Sequence, residues 1–130
     1  MSSVRERYEE HIADLVEEHG LIRYLTWEKP YQLDGRELYV PPPVTMVHYL
    51  ITLHEIGHYI VGNRPVLYGE GEAWEKALEL SRFPLTEYAR KYMVKCLNWY
   101  SLESYMALLM LKGDVDIPDI DHPFWRLANG

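Results

Sequence analysis

Apolar positions recur at helical spacing over most of this chain, and the places where that rhythm fails divide it into elements. Residues 2–19 carry a stripe of Tyr8, Ile12, Leu15 and Val16 on an otherwise charged segment. Ser2 or Ser3 stands where a helix cap belongs, and Gly20 supplies the stop. The run from Leu21 to Trp27 is rich in β-formers. A turn at Asp34-Gly35 and a second run, Glu37 to Val40, follow it, which predicts a β-hairpin or small sheet. Pro41-Pro42-Pro43 is a rigid break. From Val44 to Val61, Val47, Leu50, Ile51, Leu53, Ile56 and Ile60 restore the helical period, and Gly62-Asn63 with Pro65 beyond closes it. A loop over 64–71 leads to a shorter helix from Glu72 to about Arg82, ended by Pro84. Thr86–Tyr100 and Ser101–Lys112 read as two more helices, and 113–130 as an extended tail pinned by Phe124 and Trp125. The whole, 1–130, reads as one α+β domain, helix-dominated, with a small β-hairpin or sheet ahead of the long central helix.

Composition changes this picture little but narrows the partners. A chain of 130 residues that is 48% hydrophobic and 25% charged can bury a real core. Its net charge of −7 and the absence of a basic stripe argue against nucleic acid as a partner. The charged start Ser2-Ser3-Val4-Arg5-Glu6-Arg7 does not read as a signal peptide. The apolar stretch 44–61 holds three histidines and a glutamate, which argues against a membrane span. A single cysteine, Cys96, precludes an internal disulfide and fits a reducing, cytoplasmic setting; its neighbours Met93, Val94 and Leu97 make it a core residue.

The chemistry concentrates in the central helix, where His54-Glu55-Ile56-Gly57-His58 spells HExxH. Residues i and i+4 share one helix face, so His54 and His58 can hold one metal ion, with Glu55 beside them to take a proton from bound water. Two histidines and a glutamate in an apolar helix need partners, since burying unpaired polar groups is costly. Gly57, a poor helix former, asks for a close approach by another backbone or by the metal site.

A catalytic zinc takes three protein ligands and leaves a fourth position open. The extension HExxHxxGxxH needs Gly and His where Val61 and Arg64 stand, which removes the metzincin class, and the Gly-Thr-x-Asp setting of the aspzincins is also missing. What remains is a later glutamate: Glu70, Glu72, Glu75 or Glu79. Glu72 is the preferred third ligand, because it opens a helix whose Ala73 and Ala77 form a small-residue face able to lie against the motif helix. A glutamate in a first helical turn is also favoured simply by the helix dipole.

HExxH followed by Glu72-Ala73, Ala77, Leu80 and Pro84 resembles the gluzincin-type zincins, in particular the compact ImmA/IrrE-like metallopeptidases, over about residues 37–84. Lys76 departs from that pattern where an aromatic is expected, and Trp74 offers to fill the volume. The connection between the two motifs is short. The resemblance implies a zinc-dependent endopeptidase acting on a specific protein or peptide substrate. It also implies a His54/His58/Glu72 metal site, Glu55 as general base, a phage-related regulatory setting, and the strand 37–40 pairing with an extended substrate. A zinc-binding regulatory module without peptidase activity is the alternative.

Tyr49, Tyr59, Tyr68 and Tyr92 are candidates for stabilising an oxyanion, and Glu75 or Glu79 for orienting the imidazoles. Asp114, Asp116, Asp119, Asp121 and His122 could bind a divalent cation, but they lack the glycine and terminal glutamate of an EF-hand loop and read better as a solvated acidic tail.

Overall fold

A computed structural model describes residues 3–33, 35–100, 108, 110–113 and 116–130. It is helix-dominated with one small sheet, an α+β fold as the sequence leads one to expect. Helix α1 (Val4–His19) starts at Ser3, whose hydroxyl accepts from the Glu6 N–H at 3.1 Å, and it stops at Gly20 in the left-handed conformation (φ 64°, ψ 35°). Its apolar stripe is buried at Tyr8, Ile12 and Leu15.

The sheet holds β1 (Ile22–Leu25), β2 (Tyr31–Gln32) and β3 (Glu37–Val40) in the order β1-β3-β2. The two strongest β-forming runs do not make a hairpin with each other. β1 and β3 pair in parallel, Ile22 opposite Glu37 through Leu25 opposite Val40, and the hairpin is the shorter one between β2 and β3. The reason is the eleven-residue return over 26–36, long enough to place β2 on the far edge; the expected Asp34-Gly35 turn lies within it, with Asp34 outside the described residues.

Side chains on β3 alternate as a half-buried strand requires. Leu38 and Val40 are fully buried toward the helices, while Tyr39 faces outward and stacks between Tyr24 (4.8 Å) and Tyr31 (4.4 Å). Arg23 forks onto Glu9 at 2.8 and 2.6 Å, tying the sheet to α1.

Helix α2 (Met46–Val61) begins at Thr45, whose hydroxyl accepts from the His48 N–H at 3.3 Å, two residues later than the apolar run suggests. Helix α3 (Val66–Leu80) packs against it more extensively than any other pair of elements, and α4 (Glu87–Tyr100) follows. The contact is close because both helices are thin there. A Cβ on Gly57 would lie 2.5 Å from the Ala73 carbonyl oxygen, and Ala73 and Ala77 are fully buried.

Helix α3 therefore starts six residues before the expected Glu72. Gly69 and Gly71 give 64–71 the look of a loop, yet Gly71 is a packing position: its Cβ would meet the Phe124 backbone nitrogen at 2.5 Å. Phe124 belongs to α5 (Pro123–Ala128), a short helix inside the segment expected to be extended, with His122 as its cap. Phe124 is fully buried, so it does pin the tail. Most of the expected helix over 101–112 lies outside the described residues. No described helix is long and apolar enough to cross a membrane.

Candidate metal centre

The α2–α3 contact creates the site. On α3 the residues facing α2 are Glu70, Ala73, Trp74 and Ala77, an i, i+3, i+4, i+7 stripe, all buried. His54 and His58 project from α2 with their ring centroids 4.5 Å apart. Glu70 reaches both: one carboxylate oxygen is 3.0 Å from His54 Nε2 and the other 3.2 Å from His58 Nε2. Ligand atoms from these three residues all fall within 4.8 Å of one another, so the group could hold a metal ion, and it is the single such cluster among the described residues. Two imidazole nitrogens and a carboxylate oxygen leave room for a non-protein ligand, the donor count of an open site.

Glu72 is not part of it. Two residues along a helix turn the side chain by about 200°, so Glu72 points away from α2. There it takes Arg64 in a two-pronged pair (2.8 and 3.0 Å) and His122 Nε2 at 2.9 Å. The place foreseen for Glu72 is filled by Glu70, and the register of Ala73 and Ala77 explains why: the small-residue face and Glu70 lie on one side, Glu72 on the other. The expectation failed at the helix start, since residue 70 belongs to no face while 64–71 is read as a loop.

The electrostatics follow from burial. His54 is 8% exposed and Glu70 9%. Burial disfavours charge on His54, but hydrogen bonds to Glu55 and Glu70 outweigh it and raise its pKa to about 9. Burial likewise pushes the Glu70 carboxyl up, and the bonds from His54 and His58 reverse this, holding it well below the ordinary carboxylate range. His54 and Glu70 thus form a charged, internally paired couple in which each holds the other ionised.

Trp74 fixes the His54 ring by lying flat on it, 4.1 Å between centroids at 10°. The stacking leaves the buried indole N–H without a hydrogen-bond partner among the described residues. Glu55 sits 3.3 Å from His54 Nδ1, the nitrogen away from Glu70. It therefore takes the orienting position foreseen for Glu75 or Glu79, which instead pair with Arg126 and Lys76.

The triad and Glu55 lie in the wall of a cleft of about 1320 Å³ between the β2 side of the sheet, α2, α3 and α4. The four tyrosines divide by place. Tyr49 is buried, its hydroxyl bonded to His11 and accepting from the Arg82 N–H at 3.2 Å, so it serves the core. Tyr68 packs against His122 and beneath Arg64. Tyr59 and Tyr92 line the cleft, and burial, then Cys96, raises the Tyr92 hydroxyl to about 12, which keeps it a proton donor.

Strand β3 is paired on both sides and cannot receive a substrate strand. The edge that lines the cleft is β2, through Tyr31 and Gln32. In the acidic tail, His122 caps α5 by accepting from the Phe124 N–H at 3.0 Å, and Asp114 lies outside the described residues.

No protein-family model matches this chain, and no curated protein or solved structure matches it.

Proposed function

We propose that this protein is a zinc-dependent endopeptidase of the zincin type, related in design to the ImmA/IrrE-like metallopeptidases, working in the cytoplasm on a protein or peptide substrate. One observation carries the reading: the two HExxH imidazoles and Glu70 converge within 4.8 Å in the wall of a cleft that Glu55 also lines. The donor set fits zinc, a borderline ion served by imidazole and carboxylate. When bound, zinc supplies a Lewis acid that acidifies water to near neutrality and polarises a carbonyl.

The chain's own residues would do the rest. His54, His58 and Glu70 hold the ion, with the His54 ring kept in place by Trp74 on its face and Glu55 at Nδ1. Glu55 accepts the proton of the attacking water and returns it to the leaving amine. Tyr92 or Tyr59 donates a hydrogen bond to the developing oxyanion. The β2 edge offers unpaired backbone groups along which an extended peptide can lie.

Glu55 against His54 Nδ1 also suits a second reading, a zinc-holding module in which Glu55 only orients a ligand. Metal content and cleavage of a mixed peptide library, measured for wild type and Glu55→Gln, separate the two. One equivalent of zinc in both proteins and cleavage by wild type alone is the expected result. Zinc in both and cleavage by neither makes the module reading the right one. No zinc in either protein after loading rejects both.

A further inference from the structure

We infer that the segment of substrate taken by this cleft is acidic, an inference that rests on the peptidase reading and names its substrate class. The chain has 20 Asp and Glu against 13 Lys and Arg. Among the described residues lining the cleft the balance is reversed: Lys29, Arg36, Arg64 and Lys95 stand against Glu55 and Glu70 alone.

Both carboxylates belong to the centre, where histidines compensate Glu70 and where a divalent cation would add positive charge. Arg64 is neutralised by Glu72. Lys29, Arg36 and Lys95 are exposed and have no ion-pair partner among the described residues. They come from separate elements: Lys29 and Arg36 flank β2 on the sheet side, and Lys95 stands on α4.

A protein that is acidic overall repels acidic ligands at long range. Cations gathered at one cleft, without ion-pair partners among the described residues, create a local field of opposite sign, which is where an acidic segment docks and a basic one is rejected. Apolar side chains of such a segment find the exposed rings of Tyr31 and Trp99 in the same lining.

The test uses the full chain, zinc-loaded, with Glu55→Gln to prevent turnover. Three fluorescein-labelled peptides share a central apolar stretch flanked by Glu, by Gln or by Lys, and their binding is read by anisotropy. The Glu peptide is expected to bind about 10-fold tighter than the Gln peptide or better, with the Lys peptide weakest. The preference should shrink as salt rises from about 50 to about 500 mM, and vanish with the added substitutions Lys29→Glu, Arg36→Glu and Lys95→Glu. These three residues are exposed, so circular dichroism and zinc content should stay unchanged.

Equal affinity for the Glu and Gln peptides, no binding of the Glu peptide, or a preference that survives the triple substitution overturns the inference. Failure of the peptidase reading looks different: the wild-type zinc-loaded chain leaves all three peptides intact while the charge preference in binding persists.

Discussion

Helix α3 carries two glutamates two residues apart, and they lead opposite lives. Glu70 faces α2, is nearly excluded from solvent, and is held by two imidazoles. Glu72 faces outward, part-exposed, and joins Arg64 to His122 at the cap of α5. The first side of the helix makes a site able to hold a metal. The second makes a clamp that ties the C-terminal segment to the body. A glycine serves each side by close approach: Gly57 meets α3 at Ala73, and Gly71 of α3 meets α5 at Phe124. Identical residue types therefore acquire different roles from helix phase alone.

The sharpest way to break the contrast is to neutralise each carboxylate in turn. Glu70→Gln should weaken zinc binding by more than about 100-fold in chelator competition, since a direct ligand outweighs a supporting one. Glu72→Gln should leave zinc affinity unchanged and cost no more than about 1 kcal/mol of stability, because its partners Arg64 and His122 form a part-exposed network. A loss of zinc in Glu72→Gln with zinc retained in Glu70→Gln would reverse the assignment.

The glycines give the next largest effect. Gly57→Ala and Gly71→Ala each drive a methyl into backbone and should each cost about 1–3 kcal/mol by chemical denaturation. Only Gly57→Ala should also weaken zinc binding, as it pushes apart the two helices that carry the ligands. If Gly71→Ala weakens zinc as much, the two sides of α3 are not independent.

Acidity supplies the gentlest probe. In the metal-free chain His54 is raised from 6.5 to about 9, so its contribution to stability is complete below pH 6.5 and fades as the pH climbs to about 9. Glu70 is held below its ordinary 4.5, so its contribution is present above that pH and is lost as the pH falls. The stability difference between metal-free wild type and Glu70→Gln, read from thermal melts, should therefore be largest between pH 4.5 and 6.5 and smaller at pH 9. Zinc affinity should change in the opposite sense, rising up to about pH 9, because the ion displaces the His54 proton. A pH-independent zinc affinity would mean that His54 is not a ligand.

Much of this was legible in the chain. The caps at Ser3 and Gly20, the helix bearing HExxH, and the close approach demanded by Gly57 follow from local rules, since each depends on residues within a turn or two. The histidine pair was legible for the same reason: four residues on a helix fix a distance.

The third member of the triad was not. Its identity depends on where α3 starts, and Gly69 and Gly71 disguise that start until Phe124, more than fifty residues later, is seen to pack on Gly71. The partner of β1, the edge that lines the cleft and the helix in the tail were hidden likewise. Strand pairing and short helices are decided by contacts between distant segments, which no local periodicity encodes. Local rules in the chain thus specify α1, the helix bearing HExxH and its imidazole pair, because their physics is local, while the start of α3, the partner of β1 and α5 lie beyond such rules. That Glu70, and not Glu72, meets the imidazoles is a matter of long-range packing, because the choice rests on which face of one helix the rest of the molecule buries.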